Sequence, residues 1–497
     1  MNIRRISRVC LFTVLCLCGL FGASAQSVDE RIGKAMNEGD WFALDSIYSS
    51  TPIDSIHPFL DVFSRCLLGN RFHRHDISIP AFAELLNSHT ENLGLENLLN
   101  SAVMFSMDLS MEGDNVKAAG VIESVLGATK QYLDSAAVAS MRRYGDKYKA
   151  LAAYNPYNIK FDGETGRVPF RIVPVGKPEK KAVLMHLSDT KINGVDADVT
   201  FDTGAGVNIV SHELAAKYNL IPLDATNTVA GVGRRDGSYV IAKELAIGNI
   251  TVSDVPFLVM DISSNNAEAD QYIDAFNIIV GSELMLRLKD VTIDFEKKEI
   301  IVPAEAPMRS GVRPNMYFST QMNLLTKGSV LGNPMLMVID SGDASYGMLS
   351  RRFYDTNESY VKAHAEQDSI RMAGIAGVVI SPCYKVPDMP LSMGGNVVLP
   401  NEMAVLTGEW QGMNDYECTV GLKTLMLFGK VRFNLVDLVV STEKSSCAFS
   451  AMPNMKAPAS LKVTKEKNPN ALQTLGFIAV GLGRSLINPN APSMPDL

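Results

Sequence analysis

What most constrains the fold of this chain is a repeat inside it. Asp202-Thr203-Gly204 follows the run Val199 to Phe201, and Asp340-Ser341-Gly342 follows the run Leu336 to Ile339. Downstream of the first stands Ala230-Gly231, leading to a strand pair through Gly248-Asn249. Downstream of the second stands Ala373-Gly374, leading to a strand pair through Gly394-Gly395-Asn396. Each copy then reaches a glycine-ended segment, 279–281 or 419–421, and closes on V-T-I-D-F or V-R-F-N-L. Asp202 and Gly281 lie 79 residues apart, Asp340 and Gly421 lie 81. The same landmarks in the same order at nearly the same spacing predict two homologous β-lobes.

The rest of the chain is read around that repeat. At 497 residues it exceeds what one hydrophobic core organises, so several domains are expected. From 160 to 447, short β-branched runs alternate with Gly and Pro turn signals. Strands are expected over Val183 to His186, Val199 to Phe201, Val207 to Val210, Thr251 to Phe257 and Val291 to Phe295. Residues 27–150 carry apolar positions at three- and four-residue spacing, as in Phe59, Val62, Phe63, Cys66 and Leu67, and read as helices. A weak echo runs through them. Glu38-Gly39-Asp40 precedes Ala43, Leu44 and Ile47; Glu112-Gly113-Asp114 precedes Ala118, Val121 and Ile122; a third copy is expected near Ala81 to Leu86. A short tetratricopeptide-type stack and an irregular helical bundle both fit this pattern.

The N-terminus reads as an export signal. Arg4, Arg5 and Arg8 precede the apolar run Val9 to Phe21, and Ala23-Ser24-Ala25 forms a cleavage site. Cys18 follows Leu17, which argues against lipid attachment, so a periplasmic or secreted protein without a membrane anchor is expected. The net charge of −8 is spread along the chain with no basic block, which argues against nucleic acid or an anionic membrane as partner. Of seven cysteines, Cys66, Cys383, Cys418 and Cys447 would outlast the signal. They match no zinc pattern; a Cys418–Cys447 bridge and isolated apolar thiols both remain open. No cofactor or metal is expected. His73 and His75 lack a third ligand, His212-Glu213 lacks a second histidine at zincin spacing, and Gly231-Val232-Gly233 lacks the following helix of a dinucleotide site.

The chemistry then rests on the two acidic turns. A strand that delivers an Asp into a tight turn holds its carboxylate against a rigid core, and the glycine admits close approach of a partner chain. Two such turns meeting at a pseudo-twofold axis would bring two carboxylates together, and like charges that close share one proton. The ionised member can take a proton from water while the protonated one polarises a carbonyl, which is amide hydrolysis by general acid–base catalysis.

On D-T-G-A at 202–205, D-S-G at 340–342 and the segments 279–281 and 419–421, residues 160–447 resemble the pepsin/retropepsin-like aspartic proteases. The resemblance implies a bilobal, double-psi-barrel-type fold with Asp202 and Asp340 as the catalytic dyad. It implies that Thr203 and Ser341 hydrogen-bond across the lobe interface, with Gly204 and Gly342 in the same turns. It implies a peptide substrate lying extended between the lobes. It also puts 231–239 where the family has a flap, with Gly233 in it and Tyr239 against substrate.

Two features depart from the family pattern. Asp343 replaces a small or hydroxyl residue, and the second turn takes ten residues from Asp340 to Ser350 where the first takes nine from Asp202 to Ser211. The added residue is expected to threaten the placement of Asp340 and Ser341. Asp343 and Ala205 are both expected to raise the dyad's proton affinity, the first as a third carboxylate and the second for want of a hydroxyl.

The expected organisation is a signal over 1–25, a helical domain over 26–155, one lobe over 156–305, a second over 306–447 and an extension over 448–497. The expected activity is an exported aspartic endopeptidase, its helical domain docking substrates or a protein partner. The competing expectation is a non-catalytic peptide- or glycan-binding protein on a degenerate scaffold.

Overall fold

The computed structural model describes residues 26–175, 182–231, 233–260, 276, 278–374, 377–410, 413 and 416–445. The expected signal, the extension beyond 445, the apolar run 475–482 and Cys447 lie outside them. The chain has an N-terminal helical region and a mostly-β remainder built on two sheets. None of the described helices is long and apolar enough to cross a membrane.

Seven helices come first: α1 (Val28–Glu38), α2 (Trp41–Ser49), α3 (Pro58–Arg71), α4 (His75–Ser88), α5 (Leu95–Met111), α6 (Asn115–Thr129) and α7 (Ser135–Leu151). Ser27 and Glu30 close a capping box on α1, and the Asp40 and Asp114 side chains cap α2 and α6. The turns inside the first three pairs share one backbone bond. The amide of residue 40, 74 or 114 donates to the carbonyl five residues back, at 3.0, 2.7 and 2.8 Å. The residue before each takes a left-handed conformation: Gly39 at φ 64°, His73 at 52° and Gly113 at 84°. The middle copy therefore turns at His73-Arg74, and the segment Ala81 to Leu86 lies farther along α4.

The β region repeats one ladder twice. In lobe 1 the order is Val199–Phe201, Ile278–Val280, Ile209–Val210, Ile250–Val259, Gly233–Ile247, Ile221–Gly231. In lobe 2 it is Asn333–Asp340, Cys418–Gly421, Gly347–Leu349, Met403–Leu406, Gly377–Val386, Gln367–Gly374. Corresponding pairings are parallel or antiparallel alike. In both lobes the strand after the acidic turn leads to a serine-capped helix. Ser211 accepts from the Leu214 amide ahead of His212–Lys217, and Ser350 from the Phe353 amide ahead of Arg351–His364. The lobes differ after the outer hairpin. Gly233–Ile247 runs on to a turn at Gly248, whereas its counterpart stops at Val386, where Pro387 and Pro390 interrupt the chain.

The closing segments of the two copies join the lobes. Asp290–Asp294 pairs antiparallel with Lys430–Asn434, and Thr292 opposite Arg432 marks the centre. Arg432 grips Asp290, 3% exposed, through two bonds of 3.0 and 2.7 Å. The helical region packs onto this body. Phe42 sits edge-on to Tyr317 at 5.3 Å with the Lys327 ammonium 4.0 Å over its ring, and Arg287 donates to the carbonyls of Met111 and Ser110 at the end of α5. Cys66, Cys383 and Cys418 are free, buried thiols.

Candidate active site

Each acidic turn is assembled from its own backbone. Asp202 Oδ1 accepts the amides of Gly204 and Ala205 at 2.8 and 3.2 Å, and Asp340 Oδ1 accepts those of Gly342 and Asp343 at 2.9 and 3.0 Å. The residue three past each Asp is tied to the glycine-ended segment behind it. The Ser282 amide donates to the Ala205 carbonyl and the Leu422 amide to the Asp343 carbonyl, both at 2.8 Å.

The two turns interlock. The Thr203 amide donates to Ser341 Oγ at 2.9 Å, and the Ser341 amide donates to Thr203 Oγ1 at 3.0 Å. Thr203 Oγ1 donates in turn to the Ile339 carbonyl, and Ser341 Oγ to that of Phe201, both at 2.9 Å. Both hydroxyls are buried, at 1% and 0% exposure. The glycines let the turns nest. A methyl group on Gly204 would collide with the Asp340 carboxylate, and one on Gly342 with the Asp202 carboxylate. Each carboxyl thus lies against the glycine of the opposite turn.

The added residue of the second turn is absorbed beyond this interlock. Asp343 Oδ1 accepts the Ser345 amide at 2.9 Å and its hydroxyl at 2.6 Å, and Gly347 takes φ 110°. Asp340 and Ser341 keep the bonding pattern of their lobe-1 counterparts.

The electrostatics follow from crowding. Both dyad carboxyls retain some solvent contact, yet protein closes around them. Burial pushes the Asp202 carboxyl above its ordinary range. Asp340 is pushed well above it, first by burial and then by the charges of Asp202 and Asp343. Asp343 is itself raised by burial. One proton held between Asp202 and Asp340 is the state this arrangement favours, and such a pair can deprotonate a water while donating to a carbonyl oxygen.

The hairpin expected to act as a flap is present, with Gly231 opposite Gly233 at its tip. Tyr239, expected against substrate, lies on this hairpin. It is 2% exposed in a cluster with Ile209, Leu258 and Ile279, its hydroxyl accepts from Asn227 at 3.1 Å, and Lys147 of α7 lies 5.3 Å over its ring.

Two residues absent from the sequence reading belong to the site. Asn208, 1% exposed, accepts the Gly281 amide at 3.0 Å and donates to the Tyr157 hydroxyl and the Pro256 carbonyl at 3.1 and 3.0 Å. A polar residue inside the run V-N-I-V was the available signal. Asn323 donates to the Gly204 carbonyl at 2.6 Å across the lobe interface, and nothing in its sequence context marks it. His73 and His75 line a separate cleft with Asp76, Glu112 and Arg309, away from the dyad. Among the described residues no group of His, Cys, Asp and Glu is arranged to hold a metal.

Residues 188–283 match the family model described as Aspartyl protease. The match spans Asp202 and Gly281 and supports protease activity at that coarse level. No curated protein matched the chain.

Proposed function

We propose that this chain is an exported aspartic endopeptidase of the pepsin/retropepsin-like type, with Asp202 and Asp340 as its catalytic dyad. The observation that carries the reading is the reciprocal bonding of Thr203 and Ser341, which joins two equivalent acidic turns into one site. The family match covers the first turn, and the repeated strand order extends the reading to the second and to a double-psi-type barrel.

In this reading a peptide lies extended between the lobes with its scissile carbonyl over the dyad. The ionised carboxylate takes a proton from water as the water oxygen bonds to the carbonyl carbon. The protonated carboxyl gives its proton to the carbonyl oxygen, which leaves a neutral tetrahedral diol. As the diol collapses the C–N bond breaks, the carboxyl that took the water's proton gives it to the departing nitrogen, and the other carboxylate takes a proton back from a diol hydroxyl, which restores the one-proton pair. No covalent intermediate forms. The apolar N-terminal run supports export to the periplasm or outside the cell, with cleavage after Ala25. The three equivalent helix-pair turns support a tetratricopeptide-like stack that docks substrates or a protein partner.

The test is incubation of the mature protein with a peptide library from about pH 3 to pH 8, read by mass spectrometry, across the range where a carboxyl dyad titrates. Internal cleavage is expected. A folded protein that binds peptides and cuts none would replace this reading with a binding protein on a degenerate scaffold.

A further inference from the structure

The two lobes differ where they flank the dyad. Beneath the lobe-1 hairpin lies an apolar cluster separate from the main core: Ile209, Leu258 and Ile279, with Ala205 packed against it. Beneath the lobe-2 hairpin lies its counterpart, containing Met348, Met372 and Met413. The ladders match these walls position by position. Ile279 pairs with Ile209 in lobe 1, and Thr419 pairs with Met348 in lobe 2. Paired residues share a sheet face, so Thr419 faces the methionine cluster, while its neighbours Cys418 and Val420 join the main core. Three residues past the dyad Asp stand Ala205 in lobe 1 and Asp343 in lobe 2. Asp343 and Thr419 thus occupy the places of Ala205 and Ile279, two polar groups for two apolar ones.

These polar groups are incompletely bonded. Asp343 Oδ1 is held by Ser345, but Asp343 Oδ2 and Thr419 Oγ1 are both buried and have no hydrogen-bond partner among the described residues. Leaving buried acceptors without donors costs stability, and folded proteins rarely do it without a use for them. The charged groups acting on Asp343 are Asp340 on its own turn and Lys423, whose ammonium lies 4.3 Å over the Tyr346 ring.

We propose that Asp343 and Thr419 make the lobe-2 wall a subsite for a substrate side chain that donates hydrogen bonds: an ammonium, a guanidinium or a carboxamide. The lobe-1 wall takes an apolar side chain. The flexible thioethers of Met348, Met372 and Met413 pack along the aliphatic stem of such a group while its head reaches Asp343 Oδ2 and Thr419 Oγ1. This inference rests on the endopeptidase reading and adds to it the class of side chain recognised.

The test compares wild type with Asp343→Asn and with Asp343→Ala/Thr419→Ile, which gives lobe 2 the residues of lobe 1. Each is assayed on matched peptides carrying Lys, Arg, Gln or Leu at every position around the scissile bond, with kcat and KM measured separately. At one position wild type is expected to prefer Lys, Arg or Gln over Leu by at least ~10-fold in kcat/KM, because a site with buried acceptors rejects a ligand that cannot donate. The double variant is expected to reverse that ratio, and Asp343→Asn to lose the preference for Lys and Arg while keeping Gln. Cleavage with no donor preference at any position, or a preference unchanged in the double variant, overturns the inference and leaves the endopeptidase reading intact. If wild type cuts nothing, that reading fails on its own, and the subsite is read by fluorescence anisotropy with Lys- and norleucine-bearing peptides. Tighter binding of the Lys peptide, lost in the double variant, supports the subsite; equal binding overturns it.

Discussion

Thr203→Val tests the interlock that brings the two halves of the site together. The replacement keeps the shape of the side chain and removes one hydroxyl. That hydroxyl donates to the Ile339 carbonyl at 2.9 Å and accepts the Ser341 amide at 3.0 Å, so its loss strands two buried backbone groups. At about 1–3 kcal/mol for each stranded group, the expected destabilisation is on the order of 2–5 kcal/mol, less a small apolar gain. That is a large share of the roughly 5–15 kcal/mol that holds a folded domain together. Urea unfolding should show a lower midpoint with an unchanged slope, since the surface exposed on unfolding is the same. Thr203→Ser keeps both bonds and should cost far less. Ser341→Ala removes the reciprocal pair, and Thr203→Val/Ser341→Ala should be less destabilising than the two singles added together, because the first break already frees the turns to separate. Peptide cleavage should fall more steeply than stability does, since the carboxyls lose their register. Single variants within about 0.5 kcal/mol of wild type would show that the turns are held by other contacts, and the reasoning would fail.

Three further outcomes are expected. Because burial raises all three carboxyls and Asp343 adds its charge to Asp340, the pH–rate profile should peak at mildly acidic to neutral pH; a peak near pH 3 would contradict this. The folded chain holds these protons more tightly than the unfolded chain, whose carboxyls keep the ordinary value of 3.8. Their contribution to stability is therefore full below that value and is lost as pH rises through the raised one. Asp340→Asn should accordingly raise the urea midpoint at about pH 8 and leave it unchanged near pH 3; equal midpoints at both would count against a strained, proton-sharing pair. Gly204→Ala places a methyl group against the Asp340 carboxylate and should lower kcat/KM by ~100-fold or more in a folded protein, as small misplacements of reacting groups do; near-normal cleavage would mean the turns do not nest as described.

The bilobal plan was legible because a duplicated ladder leaves its landmarks at matching distances, and each landmark has a local cause: a glycine under a carboxylate, a serine capping a helix. The interlock of Thr203 and Ser341 was implied by family resemblance alone, since two residues 138 positions apart carry no local sign of contact. The misreadings have physical origins. The burial of Tyr239 had no sign in its hairpin, because it comes from its cluster with Ile209, Leu258 and Ile279 and from Lys147 of α7, in another region of the chain, lying over the ring. The middle helix pair hid its turn because His73 adopts the left-handed conformation that Gly39 and Gly113 adopt in the others, and Arg74 stands where Asp40 and Asp114 mark the cap. The strand expected from Val207 begins only at Ile209, with the Asn208 carbonyl just ahead of it accepting the Leu258 amide at 2.9 Å. Asn323 acts through tertiary proximity, which no short-range pattern encodes.

The central claim is that Asp202 and Asp340 act as one unit on a water molecule. It is tested most directly by the initial rate of cleavage of a single fluorogenic peptide by wild type, Asp202→Asn, Asp340→Asn and the double variant, all shown to be folded. The account predicts that either single substitution lowers kcat by at least ~1,000-fold and that the double variant is no worse than the singles, as residues acting as a unit behave. Cleavage that survives either substitution would contradict it.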